Sequence, residues 1–193
     1  MTTKDALIRF YQFNKLNLTD DFNAHCVRVY IGCILAPVPN IQARKKYLVY
    51  HDMHHIITGY SIKRVGESEV SAWELGTGTY QRPIIMIMNL FALSTGFVLE
   101  PKRVYRAYLL GCRSNNLYRY VQSTKTESAT EIPIDILQKE NLNIKSSIRL
   151  KSLRIIEFFM YLFVSMIIHI SMLFIGKFLL FAERIKLCLK KRN

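Results

Sequence analysis

Residues 41–75, IQARKKYLVYHDMHHIITGYSIKRVGESEVSAWEL, decide how this chain is to be read. Asn40 is suited to cap a helix that begins at Ile41 and runs to about Thr58, where Gly59 stops it. After a short loop, Gly66 precedes a second helical stretch, from Glu67 to Leu75. On the first helix His51 and His55 are four residues apart and project from one face, with Asp52 next to that face. Neutral imidazoles and a carboxylate are the donors that a divalent ion such as Zn²⁺ accepts. Glu67, twelve positions after His55, lies where a second helix folded back on the first would bring it to the same ion. The candidate metal ligands are therefore His51, Asp52, His55 and Glu67. His54 points off the 51/55 face and reads as a supporting or packing residue. A histidine pair at this spacing is by itself often ordinary surface or core decoration. Only spacing separates Glu67 from Glu69 and Glu74, each of which also suits a helix on general grounds.

Outward from this segment, helical periodicity dominates, with no convincing alternation of the strand kind. Thr2, Thr3 and Asp5 resemble a helix start, and Ala6, Leu7, Phe10 and Phe13 follow at helical spacing. Thr19, Asp20 and Asp21 form a second capping cluster, leading into an apolar run to Leu35 that Pro37 and Pro39 break. Pro83 opens an uncharged run to Glu100, short for a membrane span and suited to a buried core helix or the wall of a lipid pocket. Pro101 starts another helix that ends near Gly111. Residues 122–131 read as a polar surface loop, and a short helix around Ile134–Lys139 closes the domain.

The tail differs in kind. Residues 158–176, FFMYLFVSMIIHISMLFIG, carry no formal charge and are long enough for a transmembrane helix. Basic residues crowd both ends, so orientation stays open and an in-plane interfacial helix is the rival. The net charge is +13, and from Lys145 onward ten Lys/Arg face only two Glu. Basic charge gathered beside the most apolar stretch points to anionic lipid head groups rather than nucleic acid. His169 lies within this stretch and reads as a neutral side chain in a helix contact. The expected architecture is all-α: a helical domain over residues 1–145 with a metal site between two helices, then a membrane-anchoring tail over 146–193. Cys26, Cys33, Cys112 and Cys188 show no CxxC pairing and read as buried, reduced thiols. The first ten residues have no secretory-signal pattern.

The string His51-Asp52-x-x-His55, then eleven residues, then Glu67 resembles the HDxxH-x11-E signature of the ubiquinone (coenzyme Q) biosynthesis protein 4 family. Arg44 to Tyr50, Gly66, Trp73-Glu74, and Gly111 with Ser114 and Leu117 are similar to further family stretches, the likeness covering roughly residues 40–145. The apolar basic tail from about Lys151 departs from the family pattern. The resemblance implies an all-helical domain whose signature residues hold a divalent metal, usually zinc. It also implies a place at the cytoplasmic face of a bacterial inner membrane, or the matrix face of the mitochondrial one. The expected work is ring modification of a polyprenylated quinone precursor, including oxidative decarboxylation at C1, and organisation of other quinone-biosynthesis proteins. A non-catalytic prenyl-lipid scaffold is a second reading. A third is an HD-type phosphohydrolase, using His25, the His51-Asp52 pair and Asp135.

Overall fold

The chain is described by a computed structural model covering residues 1–16, 23–79, 82–118 and 126–190. Helices dominate. They are α1 (Thr3–Asn14), α2 (Gln42–Thr58), α3 (Arg64–Thr77), α4 (Pro83–Leu99), α5 (Pro101–Cys112), α6 (Thr126–Glu131), α7 (Ile134–Asn141) and α8 (Lys151–Lys190). A small antiparallel hairpin, β1 (Cys26–Ile31) and β2 (Ile34–Pro39), precedes α2.

Local chemistry explains most of the boundaries. Thr2 and Asp5 form a capping box at the start of α1, each side chain accepting from the other's backbone N–H. Gly59 ends α2 in the left-handed conformation, φ +73, with its N–H on the His55 carbonyl. Pro83 and Pro101 each occupy the first turn of their helix, where a missing N–H costs nothing. Asn40 does not cap α2. Its side chain donates instead to the Ala24 carbonyl (2.9 Å) and accepts from Arg44 (3.0 Å), tying the foot of the hairpin to the helix. Phe13, expected on the apolar face of α1, is largely in solvent, whereas Ala6 and Leu7 are buried.

The hairpin corrects the expectation of a helical run up to Leu35. Two six-residue segments that together hold three Val and two Ile flank the two-residue loop Gly32-Cys33, and Cys26 pairs with Pro39 through to Ile31 with Ile34. Pro37 and Pro39 fit because β2 is an edge strand. The capping cluster at residues 19–21 lies outside the described residues. Cys26 is exposed and Cys33 half-buried, against the expectation of buried thiols; both are free, as is the buried Cys112.

The core has two parts. One joins α1, α2 and α7 through Leu7, Tyr50, Met53, Ile57 and Leu137, with Leu117 and Tyr118 between them. The other joins α3, α4, α5 and α8 through Leu75, Leu90, Leu93, Tyr108, Phe158 and Leu162. Helix α3 packs on both α4 and α5, and α8 packs on α4. Ser165 donates to the Leu90 carbonyl (2.6 Å) and accepts from the Ser94 N–H (2.9 Å), while Phe97 meets Phe158. These pairings run in opposite directions along the two chains, so α4 and α8 are antiparallel.

The outer face of α8 is a different matter. Phe159, Met160, Phe163, Val164, Ile167, Ile170, Phe174, Phe178 and Phe181 all point away from the protein. The helix is long and apolar enough to cross a membrane, and only 17% of its most apolar window is buried against the rest of the chain. Fully burying such a side chain is worth about 1.5–3 kcal/mol, and a contiguous exposed apolar face of this kind is characteristic of membrane or protein contact surfaces.

The hairpin turn wedges between α4 and α8. Gly32 donates to the Phe91 carbonyl (3.0 Å), accepts from Thr95 Oγ1 (2.5 Å), and has φ +60. A Cβ there would lie 2.9 Å from the His169 backbone. Gly32→Ala is therefore expected to destabilise the fold by about 1–2 kcal/mol from the left-handed backbone alone, and further by displacing α8. Denaturant unfolding in detergent measures this, and an unchanged midpoint would refute the docked turn.

Candidate metal centre

The site lies where α2 meets α3. His51, His54 and His55 come from the third and fourth turns of α2. Glu67 and Glu74 come from one face of α3, seven residues and so two turns apart. His51 Nε2 lies 3.3 Å from Glu67 Oε2, and His55 Nε2 lies 3.4 Å from Glu67 Oε1. Ligand-type atoms of His51, His55 and Glu67 all fall within 4.8 Å of one another, and this cluster could hold a metal ion.

The outer contacts of the two imidazoles suit that role. His55 Nδ1 faces the Tyr60 carbonyl at 3.0 Å, and a carbonyl only accepts, so Nδ1 carries the proton. His55 Nε2 is then a lone pair, buried and without a hydrogen-bond partner. His51 Nδ1 faces Glu74 Oε1 at 3.0 Å, which likewise places a proton on Nδ1 and turns Nε2 toward Glu67. Metal-binding histidines characteristically donate their second N–H to a carboxylate or carbonyl in this way. A buried, unpartnered imidazole nitrogen is costly in a protein interior, and a cation beside it removes that cost. The donor set fits a divalent metal.

Asp52, expected as a fourth ligand, turns elsewhere. Its carboxylate accepts from the Tyr11 hydroxyl of α1 at 3.0 Å and is not part of the three-residue cluster. Helix α1 also lays Phe10 over His55, the rings 6.0 Å apart. His25 and Asp135 are both exposed, and neither joins the cluster among the described residues.

Glu74 is the residue that spacing did not single out. It is fully buried and accepts from His51, from His54 Nδ1 (2.8 Å) and from Asn89 Nδ2 of α4 (3.0 Å). His54 Nε2 accepts from the Leu117 N–H at 2.9 Å, so His54 is a neutral imidazole protonated on Nδ1, packed between Trp73 and Tyr118. The expectation of a supporting role for His54 agrees with this geometry. Glu69, one face further round α3, makes a two-pronged pair with Arg103 of α5 (2.9 and 2.8 Å) and takes no part in the site.

The charges are arranged around His51. Burial alone would depress its pKa, but the Glu74 and Glu67 carboxylates outweigh burial and hold it well above 6.5. Burial likewise opposes ionisation of Glu67, yet the hydrogen bond and charge of the His51 imidazole, the leading opposing cause, help bring its pKa down from 4.5 to about 2. The metal-free chain thus holds a protonated His51 between two carboxylates, and a metal must displace that proton. The sign of the pH dependence follows. The raised His51 pKa stabilises the metal-free fold fully below 6.5, and this is lost as pH rises through the folded value. The lowered Glu67 pKa stabilises above 4.5, and this is lost toward about 2. Both contributions are fully present between 4.5 and 6.5, while His54, whose pKa is lowered by burial, opposes part of the His51 gain below 6.5. The gain in Tm from added Zn²⁺ over a chelated sample should widen from about pH 5 to about pH 8. A gain independent of pH would argue against His51 as a ligand.

The chain matches no family model, no curated protein and no solved structure in comparisons with known proteins.

Proposed function

We propose that the protein is a membrane-anchored, metal-dependent protein of quinone biosynthesis, acting on the ring of a polyprenylated benzoquinone precursor by oxidative decarboxylation at C1. In that step the carboxyl leaves as CO2 and a separate two-electron oxygen donor of the peroxide class supplies the hydroxyl that replaces it, Zn²⁺ itself being redox-inert. The observation that carries this reading is the convergence of His51 Nε2, His55 Nε2 and Glu67, each imidazole held from behind by an acceptor, next to an apolar helix pair. The spacing of these residues is that of the HDxxH-x11-E signature, and Leu117, in a second stretch similar to the family, donates its N–H to His54 behind the site. Zn²⁺ is the ion proposed, because two imidazoles and a carboxylate suit its borderline character. When bound, it supplies Lewis acidity that polarises a carboxylate or phenolic oxygen of the substrate.

The chain's own residues set the rest. Glu74 and the Tyr60 carbonyl orient the two imidazoles, and Asn89 links that arrangement to α4. In this reading α8 and the outer side of α4 lie in lipid, so a long isoprenoid tail stays in the bilayer while the ring reaches α3. Whichever basic flank of α8 lies on the cytoplasmic or matrix side meets anionic lipids there. Other quinone-biosynthesis proteins are the proposed protein partners. The Glu67 side chain is 36% exposed, which suits a site that admits a substrate better than a closed structural clamp in a scaffold.

The test is genetic and chemical. Deleting the gene in its host should deplete ubiquinone and accumulate a carboxylated precursor. Wild-type chain should restore the pathway, and Glu67→Ala should not, although partner assembly survives. Unchanged ubiquinone with no accumulated precursor would reject the reading; restoration by Glu67→Ala would favour the scaffold.

A further inference from the structure

A small cavity of about 60 Å³ opens beside the metal cluster, lined by Tyr30, Ile62, Arg64, Glu67, Ala92 and Thr95. It joins three features described above: Glu67 of the cluster, the hairpin through Tyr30, and the apolar helix α4 through Ala92 and Thr95. At roughly 10–15 Å³ for each water-sized position, the space suits part of a ring and its substituents rather than a whole lipid. Its lining carries one cation and one anion in an otherwise mostly apolar setting.

The cation is unusually placed. Arg64 is the first residue of α3, and its guanidinium sits over the Tyr30 ring, 4.5 Å from the centroid. One of its terminal nitrogens also donates to the Tyr30 hydroxyl at 3.1 Å. No carboxylate among the described residues pairs with it, whereas the comparable exposed residue Arg103 is fully engaged by Glu69. The hairpin that supplies Tyr30 is itself anchored by Gly32 on Phe91 and Thr95, so Arg64 is held against a fixed element. A guanidinium presents several donors in one plane and recognises a carboxylate with two parallel hydrogen bonds. Its seat on Tyr30 occupies one donor of the fork and leaves the others available, while limiting the conformations it must give up on binding.

We infer that Arg64, steadied by Tyr30, is the carboxylate-binding residue for an aromatic acid whose ring enters this cavity and whose apolar tail leaves toward α4 and the membrane. A ring hydroxyl then faces the Glu67 side of the cavity, so cation and anion each meet a complementary group. This inference rests on the proposed function and adds to it the residue that distinguishes an acid from its decarboxylated product.

The experiment uses the full zinc-loaded chain in lipid nanodiscs and two probes: a hydroxybenzoic acid bearing a short isoprenoid tail, and the phenol with the same tail but no carboxylate. Wild-type protein should bind the acid about tenfold more tightly than the phenol or better, the range of one charge-assisted pair. Arg64→Met should abolish that preference while leaving phenol affinity and zinc content unchanged, and Arg64→Lys should retain part of it. Arg64 lies at the surface, so the variants fold. Persistence of the preference in Arg64→Met overturns the inference. So does displacement of the acid by phosphatidylglycerol vesicles in an Arg64-dependent manner, which would make Arg64 a reader of membrane phosphate. If wild type binds both probes equally, the inference fails alone; if it binds neither, the proposed function fails with it.

Discussion

Alanine at position 74 is expected to remove about 3–5 kcal/mol of stability, the cost of breaking a buried charged pair by deleting one partner. Glu74 has no exposed surface, and its two oxygens accept from His51, His54 and Asn89. Burial opposes its charge, yet His51 and His54 outweigh burial and keep it ionised. Without it, three donors from α2 and α4 lose their acceptor in a dry interior, where each unsatisfied group costs about 1–3 kcal/mol. Against a total of about 5–15 kcal/mol for a typical domain, such a loss is severe. Glu74→Gln keeps one acceptor oxygen and should fall between. Thermal unfolding of detergent-solubilised protein measures both, and zinc affinity in whatever remains folded should drop by about 10–100-fold through loss of the His51 support. An alanine variant as stable as wild type would mean that water replaces the carboxylate, and that the three donors do not depend on it.

The second large effect concerns α8. Lysine in place of Ile167, at the middle of residues 158–176 and half exposed on the outer face, should cost about 2.5–3.5 kcal/mol of membrane insertion if the helix spans the bilayer. Most of the protein should then become extractable from membranes by alkaline carbonate. A lysine replacing Phe178, near the basic flank that starts at Lys177, should cost far less because its ammonium reaches the head groups. If α8 instead lies in the plane of the interface, both lysines reach water alike and neither releases the protein. The ratio between the two variants therefore separates a span from an interfacial helix.

Much of this architecture is legible from local chemistry. Gly59, Pro83 and Pro101 act within a single turn of chain, so the limits of α2, α4 and α5 follow from which residues carry a Cβ or lack an N–H. The His51/His55 pair is equally local, because a four-residue spacing on a helix has one geometric outcome. The long apolar helix follows from composition alone. The hairpin at residues 26–39 was less legible, since a short apolar run supports a strand or a buried helix equally well. What signalled it was the Gly32-Cys33 pair between two β-branched segments, and what secures it is the seat of that turn on α4 and α8.

The histidine site divides along the same line. Sequence by itself determined that His51 and His55 share a face, that a carboxylate follows one loop later, and that an apolar helix closes the chain. These are consequences of helical periodicity and of side-chain polarity, which need no knowledge of neighbours. Only the tertiary structure decided which acidic residues join the histidines. Helix α3 turns Glu67 and Glu74 toward α2 and Glu69 toward Arg103, and α1 draws Asp52 away through Tyr11. Those choices depend on how one helix rotates against another, a quantity set by packing of Trp73, Leu75 and their partners rather than by spacing along the chain.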